Sequence, residues 1–208
     1  MARLAPTLML AVLLAACSSG NQPSFDSKGL VAPPANCPVN PKKIAYAERI
    51  RDVDGPGACE IEDAWRVRGL TNVSFSQPAI LGCNMVSPLN DWMQNMVQPA
   101  AMRSFGESVA SVDVAASYSC RGRNNKRGAR MSEHGFGNAI DIAAFTLESG
   151  RKVSVQTGRR DEKAFVRIVR EEACGNFMTV LGPGSDRAHK DHIHLDLQNR
   201  RSGQRYCH

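Results

Sequence analysis

S-E-H-G-F-G-N-A-I-D-I, residues 132–142, sets a histidine and an aspartate seven positions apart with two glycines between them. As part of a strand from Asn138 to Phe145, the stretch places Ala139, Asp141 and Ala143 on one face and Ile140, Ile142 and Ala144 on the other. The isoleucines belong in a core. Asp141 then stands among alanines, which leave room around a carboxylate that burial would penalise unless a cation or donor sits beside it. Gly135 and Gly137 allow a sharp reversal ahead of the strand, so His134 can fold back beside Asp141. Two metal ligands become possible.

A catalytic zinc site takes three protein ligands and an open position. The place for a third is H-K-D-H-I-H-L-D-L, residues 189–197, which holds three of the five histidines. Its end alternates, with His192, His194 and Asp196 on one face and Ile193, Leu195 and Leu197 on the other, a strand with an apolar back and a front suited to a metal.

Alternation predicts further strands over 111–120 and 177–181, and short strands with irregular structure from Cys37 to about Phe75. Ser76 before Gln77-Pro78 reads as a helix cap with an early proline. From there Ile80, Leu81, Met85, Leu89, Met93 and Met96 recur at helical spacing to Gln98, just before Pro99. The Met and Trp92 stripe reads as core. A second helix, Asp161 to Ala173, turns Phe165, Ile168 and Val169 to one side and carries Asp161 and Glu162 in its first turn. Strands and helices do not alternate regularly, so the expected fold is α+β, an antiparallel sheet carrying the site with helices packed on one face.

With 208 residues and 42% hydrophobic content, one main domain is the expectation. Arg3 and the apolar run from Leu4 to Ala16 read as an export signal too short to span a bilayer. Leu14-Ala15-Ala16-Cys17 resembles the lipobox of bacterial lipoproteins, which makes Cys17 the expected acylation site. Ser18 after it implies an outer-membrane lipoprotein facing the periplasm. Residues 17–36, rich in proline and serine, read as a tether to a domain over 37–208. Membrane contact is expected through the lipid only.

Export leaves six cysteines, Cys37, Cys59, Cys83, Cys120, Cys174 and Cys207, and predicts three disulfides. Spacing does not fix their connectivity. The pairing expected is Cys59 with Cys83, Cys120 with Cys174, and Cys37 with Cys207. No C-x-x-C pair supports a thiolate zinc cluster.

The formal charge of +6 falls to +5 without Arg3 and is no nucleic-acid signature. Its densest part, Arg121 to Arg130, holds five cations in ten residues and reads mostly as a solvated loop. Arg121, next to the histidine motif, is the candidate for holding a substrate carboxylate.

Ser132, His134, Gly137, Ala139 and Asp141, followed by D-H-x-H at Asp191 to His194, resemble the zinc peptidases grouped with lysostaphin, D-alanyl-D-alanine peptidases and sonic hedgehog. More closely, G-P-G-A-C, L-G-C-N-M, V-Q-P-A-A, S-Y-S-C-R, V-L-G-P-G and H-x-D-H-I-H-L-D-L resemble the bacterial extensin-like C-terminal domain family. The resemblance implies one zinc per chain on His134, Asp141 and His194. It implies Asp191 as general base, with His192 and His189 orienting water or stabilising charge. It makes the expected function a zinc-dependent peptidase acting on peptidoglycan, as endopeptidase or carboxypeptidase. The alternative is a zinc-containing binding module of the cell envelope, the role that dominates in sonic hedgehog.

Overall fold

The alternation over Ala64–Leu70 and the Thr71-Asn72 pair after it set up a hairpin near the start of the domain. The computed structural model describes residue 37 and residues 39–208; the expected leader, Cys17 and the tether lie outside the described residues. In chain order, β1 (Ala45–Arg49) leads to a small ribbon, β2 (Val53–Asp54) with β3 (Glu60–Ile61), and then to β4 (Ala64–Leu70) and β5 (Val73–Gly82). Strand β4 pairs antiparallel with both β1 and β5. Asn72 has φ 60°, the left-handed backbone that a two-residue hairpin link favours.

The helix expected from Ser76 begins only at Cys83, because residues 77–82 remain in β5. Ser and Pro are local signals, and strand pairing overrides them here. The register against β4 shifts between Val67↔Ala79 and Gly69↔Ser74, so Gln77 and Pro78 fall where a proline's missing N–H breaks no ladder bond. Helix α1 (Cys83–Trp92) runs through a π-helical turn, Met93–Val97, into α2 (Gln98–Phe105). The expected stop at Pro99 does not occur: the widened turn precedes the proline, which sits in the first turn of α2, where an N–H is dispensable. Gly106, at φ 74°, ends the helix.

The helical run returns the chain to the same end of the sheet, so β6 (Val109–Ala116) lies parallel to β5. After it come β7 (Ala139–Leu147), β8 (Lys152–Ser154), α3 (Arg160–Ala173), β9 (Thr179–Leu181), β10 (Ile193–Asp196) and β11 (Tyr206–Cys207). The sheet order is β1-β4-β5-β6-β7-β10-β9-β11, with β8 and β10 successive along one edge of β7. The fold is α+β as expected, but the sheet is mixed: β5 with β6 and β9 with β11 are parallel, the remaining pairs antiparallel.

The core lies between the sheet and the helices. Trp92 meets Phe145 and Phe177 edge-on, and Phe165 packs on Phe105 and Phe145. Trp92 Nε1 donates to the Val169 carbonyl at 2.9 Å, which satisfies its one polar group. The Met85, Leu89 and Met93 stripe is fully buried; each such side chain contributes roughly 1.5–3 kcal/mol by burial. In β7, Ile140 and Ile142 face this core, but β6 residues Asp113 and Val114 sit against Ala144 and Ile142. Ala143 is therefore an extra residue, and this bulge turns Phe145 and Leu147 back toward the core.

The cysteines pair otherwise than expected. Cys59 bridges Cys120 and Cys174 bridges Cys207. The ribbon carrying Cys59 lies beneath the segment after β6, and β11 lies beside β9, which follows α3; spacing in the chain carries neither fact. Cys37 and Cys83 are unbridged and face each other, with Asp63 alongside.

Candidate metal centre

Asp141 and His194 are direct partners across the antiparallel β7–β10 ladder. Both project from the sheet face opposite the isoleucines, and both are under a tenth exposed. His134 arrives from a 3-10 turn, Glu133–Phe136, that Gly137 closes at φ 61°. A Cβ at Gly137 would come within 2.5 Å of Ile61 Cδ1 and 2.8 Å of Gly82 N, so both the backbone angle and the space require glycine. Gly135 is held by packing alone: a Cβ there would sit 3.0 Å from Cys59 Sγ. The Cys59–Cys120 bridge thus backs the turn that presents His134.

The three side chains converge. His134 Nε2 lies 3.2 Å from Asp141 Oδ2 and 3.3 Å from His194 Nδ1, and His194 Nδ1 lies 2.8 Å from Asp141 Oδ1. Ligands held at about 2.0–2.2 Å by a tetrahedral ion stand roughly 3.3–3.5 Å apart. The His134–His194 separation and that of His134 from Asp141 Oδ2 are close to that spacing, while the shorter contact of His194 is to the other carboxylate oxygen, Oδ1. Two imidazoles and a carboxylate suit a small divalent ion.

The outer nitrogen of each of the two clustered imidazoles is occupied. His134 Nδ1–H donates to the Ser117 carbonyl at 2.6 Å, which leaves Nε2 for the centre. His194 Nε2 lies 3.0 Å from Asp196 Oδ2, which leaves Nδ1 inward. Such partners fix ring orientation and raise ligand basicity. Burial disfavours charge on these groups, yet hydrogen bonds from His134 and His194 hold Asp141 well below the usual carboxylate range. Asp141 and Asp196 together raise His194 to about 9. Asp196 is held low by His194, against its burial.

Two further histidines border the same cleft, which has a volume of about 400 Å³. His189 ends the 3-10 turn Arg187–His189, and its Nδ1 lies 2.7 Å from Asp186 Oδ1. Burial lowers its pKa. His192 presents Nε2 3.6 Å from Asp141 Oδ2, and its Nδ1 meets Asp191 Oδ1 at 3.0 Å. Asp191 stands behind His192 relative to the centre and is half exposed. Its carboxylate is engaged by His192 Nδ1 and does not join the cluster of His134, Asp141 and His194. Arg121 lines the cleft and has no ion-pair partner among the described residues.

Sequence reading gave no role to Glu133, Asp186 or Asp196. Asp186 and Asp196 lie three residues before His189 and two after His194, a spacing that could have suggested partners. Glu133 carries no such signal. It is 5% exposed, accepts from Asn138 Nδ2 at 2.8 Å through Oε2, and its Oε1 lies 3.9 Å from Arg123 Nη2 with no hydrogen bond. Burial raises its carboxyl to about 7.

Residues 36–208 match the family described as Extensin-like protein C-terminus. No curated protein and no solved structure matches the chain. With most of its length covered, the chain belongs to that family.

Proposed function

From membership of the extensin-like family and the geometry of the centre, we propose that the protein is a zinc-dependent peptidase that cuts amide bonds in peptidoglycan peptides. In this reading the chain is exported, lipidated on Cys17 and held at the outer membrane facing the wall. One observation carries it: His134, Asp141 and His194 converge under an open cleft, while His189 and His192 border the cleft without joining the cluster. A site that only held a metal for stability would be closed by a fourth protein ligand.

The residues divide the work. His134, Asp141 and His194 hold the zinc, oriented by the Ser117 carbonyl and Asp196. Zinc, when bound, supplies a Lewis acid that lowers the pKa of water to about 7 and polarises a carbonyl. His192 faces the centre through Nε2, and Asp191 accepts from Nδ1. The pair therefore takes a proton at His192 Nε2, with Asp191 steadying the imidazolium. His189, held at Nδ1 by Asp186, donates from Nε2 toward negative charge developing on the substrate carbonyl only when that nitrogen is also protonated; one such donor can be worth about 3 kcal/mol. Arg121 receives a substrate carboxylate.

The position of Asp191 favours a second reading, a zinc-containing binding module for the wall, because its carboxylate meets His192 Nδ1 and, among the described residues, Asp141 is the carboxylate clustered with His134 and His194. Incubating the mature protein on purified peptidoglycan, with zinc and with chelator, and reading released muropeptides by mass spectrometry separates the two. Chelator-sensitive release lost in both Asp191→Ala and His192→Ala supports the peptidase. One metal per chain with no release of any fragment supports the module, and absence of stoichiometric metal overturns both.

A further inference from the structure

Asp141 and His192 border two clefts. The first is the one already described, on the β9 and β10 side. The second, of about 510 Å³, lies over β6, β7 and β8 on the other side of the same two residues. The centre thus sits at a junction and not at a blind end.

We infer that the two clefts form one groove passing across the metal centre, and that the protein binds a cross-linked wall peptide with substrate on both sides of the scissile bond, as an endopeptidase. This inference rests on the peptidase reading for the cut itself, although the groove's occupancy can be measured without it. An enzyme that removes a terminal residue needs an end wall beyond the scissile bond to receive the free terminus. Here the space continues in both directions from His192.

The two arms differ in chemistry. The first is lined by Arg121, Arg123 and Arg200 together with Glu133, Asp186 and Asp196; Arg200 is bonded to the Met178 carbonyl and the Thr179 hydroxyl and Arg123 lies beside Glu133, which leaves Arg121 to receive a carboxylate-bearing part of a peptide. The second has a floor of Ala115, Ala116, Ala143 and Ala144, in which the β7 bulge adds a second methyl where a regular strand would offer one. Methyl-sized floor residues let a backbone approach closely and suit short side chains such as those of alanine. At the rim of this arm, Lys152 is paired with Asp113. The substrate class is thus an internal amide between short side chains in one arm and carboxylate-bearing residues in the other. Hydrolysis consumes one water, breaks the C–N bond, and leaves a carboxylate on one product and an amine on the other.

The test compares a cross-linked muropeptide dimer with the matching monomer. Affinities are read by isothermal titration calorimetry on chelator-treated protein, where no bond is cut, and products by mass spectrometry on zinc-loaded protein. The variants are Ala143→Trp, which fills the second arm, and Gln156→Trp, an exposed loop residue lining that arm, as a filling that spares the strand. The inference expects the dimer to bind at least tenfold tighter than the monomer, and both variants to bring the dimer to monomer affinity. Equal affinity for dimer and monomer, with release of a terminal residue from the monomer, overturns the groove and leaves the peptidase reading standing. Dimer preference lost in the variants, but no cleavage of either substrate, upholds the groove and overturns the peptidase reading. Equal affinities with no cleavage overturn both.

Discussion

His194 and Asp141 are cross-strand partners whose side chains meet at 2.8 Å between Nδ1 and Oδ1. Antiparallel pairing therefore assembles two of the three candidate ligands by register alone, and the Glu133–Phe136 turn has only to add His134. A one-residue slip of β10 would send His194 to the core face and Ile193 to the site. Burial of Ile193 and Leu195 on the opposite face guards against that slip, so the core enforces the geometry of the centre.

Asp196 meets His194 Nε2 at 3.0 Å, and in the proposed centre it would act on the metal through that imidazole. Replacing His134, Asp141 or His194 with alanine is expected to abolish stoichiometric zinc binding. Asp196→Ala should instead weaken zinc affinity about 10–100-fold, the usual cost of removing a carboxylate behind a ligand histidine. Competition against a chromophoric chelator measures both. An Asp196→Ala affinity equal to wild type would remove the orienting role.

Gly137→Ala should damage both stability and zinc binding. The left-handed backbone costs alanine about 1–2 kcal/mol, and the new methyl meets Ile61 and the Gly82 backbone. Gly128 also has a positive φ, 73°, but nothing stands within 4 Å of a Cβ there. Gly128→Ala is therefore the control, expected to lower the thermal midpoint slightly and to leave zinc affinity intact. Equal zinc affinities in the two variants would count against a special role for the Gly137 turn.

Legibility followed the range of the interactions. His134 and Asp141 were readable because a glycine turn and a strand period are local, and His194 because its own strand alternates. Asp191 carried the right chemistry, but a static pattern could not place it behind His192, since that depends on where β10 begins. Ser76 and Pro78 mimic a helix start, and only the pairing of β5 with β4 tells otherwise. The parallel β5–β6 contact and the cysteine partners follow from the helical return over 83–105 and the position of β11. Glu133 was invisible because its burial is made by the tertiary fold around the turn.

Removing the Cys59–Cys120 bridge should cost more than removing Cys174–Cys207. The first spans 61 positions and the second 33; loop entropy gives about 4 kcal/mol to each, with a few tenths between them. What separates them is place. Cys59 packs against Gly135 and Met131, so the Cys59→Ala, Cys120→Ala double variant should also weaken zinc binding, whereas the Cys174→Ala, Cys207→Ala variant should only lower the thermal midpoint. Equal zinc affinity in the two double variants would sink this distinction.

Cys37 and Cys83 are expected to close a third bridge in an oxidising buffer. Their sulfurs and an Asp63 oxygen lie within 4.8 Å of one another, and burial raises the Cys83 thiol, with Cys37 and Asp63 adding to the rise. Exchange with oxidised glutathione removes two protons and two electrons and gives two reduced glutathiones. Intact mass should fall by about 2 Da on treatment and denatured thiol titration should find none of these two free. Two zinc ions per chain, the second lost in Cys83→Ser, would instead make this cluster a metal site.

Glu162 supports the protein near neutral pH through the start of α3, and this support is lost in acid. Burial alone would raise its pKa, but the Thr157 hydroxyl and Arg151, with Arg159 nearby, hold it below the ordinary value. A carboxylate lowered in the fold stabilises above its unfolded pKa of about 4.3, and that contribution is lost as pH falls through the folded value. Glu162→Gln should therefore cost about 1.5–3 kcal/mol at pH 7, the range for hydrogen bonds to a charged group. The gap between wild type and variant should narrow as pH drops below about 4. Urea unfolding followed by circular dichroism from pH 7 to 3 measures it, and a gap constant over that range would show that the charge of Glu162 contributes nothing.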